Sequence, residues 1–285
     1  MTDFEPRQGM AVQVDRLVQI YTVDGQDVAA LSGVSLAVPS GSVVALVGPS
    51  GAGKSTLLSV LSGLVPPSAG RVMLGDLDLS RASTEQVDAL RGDKVAVMVQ
   101  DIDRNLLPYL SVRENVSLTA PPRLRTAIRP ADALEMVGVP EEDWNSPIGA
   151  VSPTVRQLTA LASSVAPDPQ LLLADEPTSS LTGDEARRIT EALRAINNQR
   201  GTTIVAVTHD VDVAVGLGGR IVTIRDGRVG NDSTSFETTE ILVGEGGTVL
   251  LGAEFDTDFP PGTRLRIERD PANGAIILTK VEELR

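Results

Sequence analysis

One short run of the sequence has the residue types and the spacing of a phosphate-binding loop. It follows an apolar stretch at residues 43–47 and contains the pattern G-x-x-x-x-G-K-[ST] within Gly48, Pro49, Ser50, Gly51, Ala52, Gly53, Lys54, Ser55 and Thr56. Glycines let the backbone wrap closely, so that successive N–H groups point at phosphate oxygens. Lys54 would reach the β- and γ-phosphates, and the Ser55 hydroxyl would hold Mg²⁺. The pattern therefore predicts a nucleoside triphosphate site, the alternative being a glycine-rich turn with an incidental lysine.

Two adjacent carboxylates follow another apolar run and form a second group of residues that could take part in catalysis. Residues 171–174 are Leu-Leu-Leu-Ala, and Asp175 and Glu176 come directly after them. In an α/β protein with a phosphate loop, the carboxyl ends of the strands face the ligand. We therefore expect Asp175 to bind Mg²⁺ through water and Glu176 to polarise the attacking water. The alternative is a polar strand end before Pro177, which is common in α/β proteins.

The segments around these residues alternate between strand-like and helix-like patterns. Extended segments are predicted at residues 10–21, 34–38, 71–74, 95–99, 171–175, 203–208 and 221–225. Helices are predicted from Lys54 to about Gly63, over residues 182–200 and from Val211, with a largely helical pattern between residues 106 and 166. This alternation is typical of an α/β fold with a mainly parallel sheet.

Composition limits the partners and the metals that the chain can use. The net charge of −13 argues against nucleic acid as the main partner, because phosphate backbones are held by Lys and Arg patches. The chain has no cysteine and a single histidine, which excludes disulfides, thiolate metal sites and multi-histidine sites and leaves Mg²⁺ as the expected metal. The first ten residues lack the apolar core of a signal peptide, and the apolar runs fall short of the roughly 18 residues of a membrane span. We therefore expect membrane contact only through partners.

Together these segments closely resemble the ATP-binding subunit of an ABC transporter, over roughly residues 10–230. The resemblance implies a P-loop α/β ATPase core with an antiparallel β edge. It also implies an inserted helical subdomain at about residues 101–166. The residues at 105–108 and at 112–116 look like the lipoprotein-release and macrolide-export branch of this family.

The resemblance assigns roles to three further residues. Gln100 ends a predicted strand, as does the family's glutamine that senses Mg²⁺ and contacts the transport subunits. Tyr21 stands where the family stacks an aromatic ring on adenine. His209 follows a strand in the sequence Thr-His-Asp and matches the family's histidine that contacts the γ-phosphate. The alternative for a single histidine of this kind is an ordinary loop residue.

The chain departs from the family where one subunit completes the site of the other. The family's LSGGQ signature falls here on residues 151–155, and in its last four positions this chain has Ser152, Pro153, Thr154 and Val155. Proline has no N–H to donate, and the Cβ of Thr154 hinders close approach of a phosphate. We expect Ser152 and Pro153 to act instead as the N-cap and first residue of a helix.

A second departure lies in the loop that follows the paired carboxylates. Thr182 stands where the family usually has aspartate. Thr182 and Glu185 have the spacing of a capping box, which predicts that they begin the next helix. The changes in the signature and in this loop together indicate that this chain no longer needs to complete the nucleotide site of a partner subunit.

After Gly230 the helical periodicity ends, and short extended runs alternate with turns. The runs are predicted at residues 240–243, 248–251, 264–268 and 275–281. We therefore predict an ABC ATPase domain over residues 1–230 and a small all-β module over residues 231–285. A dimerising or regulatory module and a passive β-cap on the ATPase are both open for this segment.

The resemblance and the departures together predict an ATP-binding, ATP-hydrolysing subunit that powers a separate membrane permease. Since only the half of the site that serves its own nucleotide looks complete, an asymmetric dimer with a second ABC ATPase is favoured over a homodimer. Such a subunit would lie peripherally on the cytoplasmic face of the cell membrane. Two alternatives remain: a subunit that drives an envelope protein without transport, and a non-hydrolysing module gated by nucleotide.

Overall fold

The computed structural model describes residues 8–23, 25–102, 105–120, 127–233, 265–269 and 276–280. Twelve strands lie in the described residues: β1 Val12–Val23, β2 Gln26–Val38, β3 Val43–Val47, β4 Ala69–Leu74, β5 Leu77–Asp78, β6 Val95–Met98, β7 Leu171–Asp175, β8 Thr203–Thr208, β9 Arg220–Arg225, β10 Arg228–Ser233, β11 Leu265–Arg269 and β12 Ile276–Lys280. The same residues contain seven α-helices: α1 Lys54–Leu61, α2 Thr84–Asp93, α3 Val112–Thr119, α4 Pro130–Met136, α5 Pro153–Val165, α6 Asp184–Arg200 and α7 Val211–Gly216.

The larger sheet has six strands in the order β10-β9-β3-β8-β7-β6. All neighbours in it are parallel except β10 and β9. The central strands β3, β7 and β8 are short apolar runs with nearly every residue buried, as expected for strands covered on both faces. Their registers pair Val47 with Thr208 and Asp175 with Val207, so the three strands end at the same edge. The predicted parallel sheet is confirmed, and this edge carries the candidate site.

A second, antiparallel sheet has the strand order β2-β1-β4-β5. Its inner residues pack with α1 and with one face of the larger sheet in a single apolar cluster, which includes Val12, Leu36, Leu57, Leu61 and Val205. The helix that follows the phosphate loop is therefore held between two sheets, which fixes the direction of its N-terminus. This sheet is the predicted antiparallel edge of the fold.

The other face of the large sheet is covered by helices. A second apolar cluster joins α3, α4, α5, α6 and α7 to that face through residues such as Leu134, Leu161, Leu172 and Ile189. Helix α3 begins with a capping box in which the Ser111 and Glu114 side chains each bind the other's backbone N–H. The helical pattern predicted between residues 106 and 166 is confirmed by α3, α4 and α5 in the described residues.

Two local predictions need correction. Helix α2 was not predicted, although Ser83 and Gln86 form a complete capping box at its start. Helix α6 begins at Asp184 after Gly183, whose side-chain-free backbone makes no cap, so the predicted capping box of Thr182 and Glu185 is wrong. Thr182 is therefore not the N-cap residue, and the Glu185 carboxylate instead accepts a hydrogen bond from the Thr154 hydroxyl at 3.0 Å.

At the C-terminal end of the chain, the described residues contain one antiparallel pair of strands. Strands β11 and β12 pair from Leu265 with Lys280 to Arg269 with Ile276, which confirms the last two of the four extended runs predicted there. The first two runs lie outside the described residues. Strand β10 continues to Ser233, past the residue at which the sequence predicts the domain boundary.

Candidate nucleotide-binding site

The loop between β3 and α1 has a backbone that requires glycine at specific points. Gly51 and Gly53 have φ values of 78° and 98°, in the left-handed region that side chains disfavour. A Cβ at Gly48 would overlap the carbonyl oxygen of Ile224 on β9, and one at Gly53 would lie 2.5 Å from the carbonyl oxygen of Ala30 on β2. Neighbouring strands therefore enclose the loop tightly, while a Cβ at Gly51 would meet no atom within 4 Å. The open side of the loop is available to a ligand.

The turn after β9 also supports the loop. Gly227 donates its backbone N–H to the carbonyl oxygen of Ala52 at 3.1 Å, and Ser32 on β2 donates to the carbonyl oxygen of Gly227 at 2.8 Å. Sequence reasoning missed this support. The signal available was Asp226-Gly227, a dipeptide typical of tight hairpin turns.

Lys54 lies at the first position of α1, and its ammonium group is held inside the loop. Its Nζ atom donates to the carbonyl oxygens of Gly48 at 2.6 Å and Pro49 at 3.0 Å. The residue is only 7% exposed. A positive charge therefore stands beside the N-terminus of a helix, where the aligned peptide dipoles also favour an anion.

Asp175 and Ser55 meet at the edge of the sheet next to this charge. The Ser55 hydroxyl donates to Asp175 Oδ1 at 3.2 Å, although 120 residues separate them in the sequence. Burial raises the pKa of Asp175, and the neighbouring Glu176 charge raises it further, whereas the Ser55 hydrogen bond and the Lys54 charge lower it. A cation at this position would relieve the cost of burying the carboxylate.

The hydroxyl and carboxylate oxygens of Ser55 and Asp175 fit Mg²⁺, which prefers hard oxygen ligands. Across the described ranges, no group of three or more His, Cys, Asp and Glu side chains could hold a metal. Mg²⁺ binds proteins through one or two side chains and completes its shell with water and substrate phosphates, and Ser55 and Asp175 supply such a pair of oxygen groups.

Glu176 and His209 come together on the other side of the same edge. Glu176 Oε2 and His209 Nδ1 are 2.8 Å apart. The Glu176 backbone has φ of 48° and donates its N–H to Val207 on β8 at 2.9 Å, so the residue is held in an uncommon conformation. Glu176 is 8% exposed, whereas the His209 side chain is 65% exposed. The carboxylate is thus buried and oriented, while the histidine remains accessible to a ligand.

A cavity of about 490 Å³ lies over these groups. Its lining consists of Ala30, Ser50, Gly51, Gly53, Lys54, Ser55, Thr56, Gln100, Glu176 and His209. Gln100, which follows β6, is therefore placed with the loop, the carboxylate and the histidine as the resemblance implied. Tyr21 lies on β1 opposite Val28 and is not among these lining residues, so its adenine contact stays a prediction. Ala30 was missed because nothing in its type or spacing marks it.

The residues of the altered signature, 152–155, make their contacts within this chain. Ser152 caps α5 by accepting the N–H of Val155 at 3.2 Å, and Pro153 is the first residue of the helix, as predicted. Thr154 is 3% exposed, and its hydroxyl donates to Glu185. Val155 is buried in the apolar core. One turn further on, Gln157 donates to the carbonyl oxygen of Pro177 at 2.6 Å, a buried contact that sequence reasoning also missed.

Comparison with known proteins identifies the family. A family model described as ABC transporter matches residues 31–179. The ATP-binding protein MJ0796 of Methanocaldococcus jannaschii is 31% identical over 225 residues, which cover 76% of this chain and 94% of that protein. The lipoprotein-releasing system ATP-binding protein LolD 1 of Rhodospirillum rubrum is 35% identical over 223 residues, 77% of this chain and 97% of that protein.

A solved structure extends these similarities to three dimensions. The dimeric, post-hydrolysis structure of the MJ0796 cassette bound to ADP and Pi has a TM-score of 0.69 and 30% identity, covering 78% of this chain and 98% of that one. The chain therefore belongs to the ABC transporter family, as an ATP-binding subunit with the cassette fold and an ATPase of that type. The LolD relative confirms the predicted resemblance to the lipoprotein-release branch.

The described helices include none that is long and apolar enough to cross a membrane.

Proposed function

We propose that this chain hydrolyses ATP as one half of an asymmetric ABC ATPase dimer that powers a separate membrane permease. In that dimer a second ABC ATPase supplies an intact signature to the nucleotide held here. The observation that carries the proposal is the 2.8 Å contact of Glu176 with His209 beside the phosphate loop, in a chain whose own signature helix begins with Pro153. A buried, oriented carboxylate serves hydrolysis and has little use in passive binding.

The residues of this chain divide the work of hydrolysis among them. ATP is the substrate, and hydrolysis breaks a phosphoanhydride bond of its phosphate chain. Mg²⁺, held by Ser55, Asp175 and Gln100, would neutralise charge on the phosphates. The Lys54 ammonium and the N-terminus of α1 would bind the phosphate oxygens. In the role of general base, the Glu176 carboxylate would accept from His209 Nδ1 through Oε2, and its other oxygen would take the proton of the attacking water.

The signature segment of this chain is poorly suited to serve a nucleotide bound by another subunit. Pro153 has no N–H, and the Thr154 hydroxyl is already engaged by Glu185. In a homodimer both sites would combine a sound loop with this segment. A partner with an unaltered signature would complete one competent site, which is the physical reason for proposing a heterodimer.

The permease and the location of the complex are proposed from the family. LolD 1 of Rhodospirillum rubrum carries the name of a lipoprotein-releasing system, and a lipophilic cargo extracted or exported through membrane subunits fits that relation. The chain would then lie peripherally on the cytoplasmic face of the membrane. Nucleic acid is not proposed as a partner, because the net charge is −13.

Purification of the tagged full chain in detergent tests the proposal. We expect a permease and a second ABC ATPase to co-purify, and we expect the complex to hydrolyse ATP much faster than the chain alone. Rapid turnover by the isolated chain would contradict the asymmetric dimer. Turnover by neither preparation, with ATP still bound, would favour the nucleotide-gated module.

A further inference from the structure

The side chain of Asn105 binds the backbone on both sides of Gln100. Its Nδ2 group donates to the carbonyl oxygens of Val99 at 2.7 Å and Asp101 at 3.0 Å. Its Oδ1 atom accepts the backbone N–H of Val99 at 3.2 Å. The backbone N–H of Asn105 also donates to the carbonyl oxygen of Ile102 at 2.9 Å.

The chemistry of these contacts is specific for a primary amide. An amide offers two N–H donors and an oxygen acceptor, and here both donors and the acceptor are used. Since Val99 presents one N–H and one C=O, the orientation of the Asn105 amide is set by its partners. A carboxylate of the same size would keep the contact with the N–H but would place an oxygen against two carbonyl oxygens.

The hydrogen bonds of the Asn105 amide to Val99 and Asp101 (the Asn105 clamp) lie at the edge of the large sheet, next to the candidate site. Strand β6 ends at Met98 and is the last strand of the six-stranded sheet, so among the strands of the described residues its backbone pairs only with β7. The Asn105 amide binds Val99 as a peptide group of a neighbouring strand would. Gln100, the next residue, is exposed and lines the nucleotide cavity.

A second asparagine anchors the segment that follows. Asn115 on α3 is buried, accepts the N–H of Leu107 at 2.7 Å and donates to its carbonyl oxygen at 3.2 Å. Asn115 also donates to the carbonyl oxygen of Ser111 at 2.9 Å, within its own helix start. Leu106, between the two anchored residues, is buried in the apolar cluster. The backbone that carries Gln100 is thus linked to α3 through fixed contacts.

We propose that Asn105 is a positioning residue for Gln100. Its amide fixes the two peptide units from which the Gln100 side chain projects into the nucleotide cavity, and Asn115 holds the far end of the segment. The inference rests on the proposed function in one respect, namely that Gln100 takes part in binding Mg²⁺ with ATP. It assigns to Asn105 the support of that contact, without contact to the ligand.

Calorimetric binding of ATP by the full chain, with Mg²⁺ or with EDTA, tests the assignment. We expect Asn105→Ala to weaken binding of ATP in Mg²⁺ about tenfold, as loss of a residue that orients a metal ligand does, and to change binding in EDTA less than about twofold. Gln100→Ala is expected to do the same, and the double variant to lose no more than Gln100→Ala alone. Equal losses in both conditions, or a double loss equal to the product of the single losses, would overturn the assignment.

Asn197→Ala provides the matched control. Asn197 also joins two backbone segments, by donating to the carbonyl oxygens of Gly41 and Thr202 at 2.8 Å each, and it is not among the residues that line the cavity. We expect this variant to lower the melting temperature while leaving the ratio of the two affinities unchanged. A shift of that ratio like the one in Asn105→Ala would mean that general destabilisation causes it.

A measurement on the unsubstituted chain keeps the test independent of variant folding. The Val99 amide should exchange its hydrogen slowly, because Asn105 Oδ1 accepts it. Exchange of this amide at the rate of a free peptide would overturn the assignment. An unaltered affinity in Gln100→Ala would overturn it as well. A chain that binds no ATP at all would contradict the proposed function, and hydrogen exchange at Val99 would then be the test of whether Asn105 holds this backbone.

Discussion

The two halves of the ATP-binding machinery in this chain differ in where their polar groups are directed. In the nucleotide-facing half (residues 48–56 with Asp175, Glu176 and His209), side chains from different elements meet at one edge of the sheet, and Lys54, Ser55, Glu176 and His209 line a cavity there. In the partner-facing half (residues 152–155 with 179–183), Ser152 and Thr154 form hydrogen bonds within their own chain, while Ser179, Ser180 and Thr182 are exposed.

The hydrogen bonds of Ser152 and Thr154 each have a defined partner in this chain. Ser152 caps its own helix, and Thr154 binds Glu185 of the same chain. Ser152 only accepts in its bond, but Thr154 donates its single O–H to Glu185 and must give up that bond before it can donate to another subunit's nucleotide. The segment keeps its helix start and its packing, and under the proposed function it no longer completes a partner's nucleotide site.

The comparison is tested most severely at Glu176. We expect Glu176→Gln to reduce ATP turnover of the complex with its co-purified ATPase by about 10²- to 10⁴-fold, because an amide cannot take the proton of the attacking water. ATP affinity should stay within about twofold, since this carboxylate contributes little to phosphate binding. Turnover assays and equilibrium binding measure the two effects. Glu191→Gln on the exposed face of α6 is the control, and an unchanged turnover in Glu176→Gln would mean that the nucleotide-facing half does not hydrolyse ATP.

Lys54 gives the next largest effect. We expect Lys54→Ala to weaken ATP binding by about 10- to 100-fold, since hydrogen bonds to charged groups contribute about 1.5–3 kcal/mol each. Binding of a fluorescent ATP analogue to the full chain measures this loss. Lys94→Ala, at an exposed lysine that follows α2, should bind normally. Equal affinity in both variants would contradict the assignment of residues 48–56 as the phosphate site.

Restoring the signature tests the partner-facing half. The triple change Pro153→Gly, Thr154→Gly and Val155→Gln returns backbone N–H groups and a polar side chain to that segment. We expect ATP turnover of the chain alone to rise by at least about tenfold, because such donors stabilise charge that develops in the transition state. The same triple change in a Glu176→Gln background is the control and should show no rise. If turnover stays unchanged in the triple variant that keeps Glu176, the altered signature is not what limits the ATPase rate of the isolated chain.

The smallest expected effect concerns the inward contact of Thr154 itself. A double-mutant cycle of Thr154→Val and Glu185→Ala should give a coupling of about 0.5–1.5 kcal/mol, as for a typical hydrogen bond with one buried partner. Urea unfolding of the full chain measures it. Glu191→Ala in place of Glu185→Ala should show no coupling with Thr154→Val. If the changes in unfolding free energy in the first cycle are additive, Thr154 and Glu185 do not interact, and their contact does not explain the altered signature.

Sequence patterns predicted the elements of the site well where the information is local. The phosphate loop, the strand that ends at Asp175 and the N-cap at Ser152 each depend on residues within a few positions of one another. Helix α2 was missed although its capping box is equally local, because the residues after Ser83 are mostly polar and show little apolar periodicity. The predicted capping box of Thr182 and Glu185 was wrong because α6 begins one residue later, after Gly183, and Glu185 instead bonds to a residue 31 positions away.

The residue types and their spacing are enough to specify the ligand class, the family and the loss of the signature glycines, because these depend on short runs whose backbone chemistry is local. The packing of the sheets decides which distant side chains meet. Parallel strands β3, β7 and β8 end at one edge, which brings Ser55 to Asp175 and Glu176 to His209 across separations of 120 and 33 residues. The same tertiary packing turns Thr154 toward Glu185 and lets Asn105 hold the backbone around Gln100. These contacts depend on how whole strands and helices pack, which short sequence runs do not determine, and two of them satisfy buried groups, those of Thr154 and Glu176.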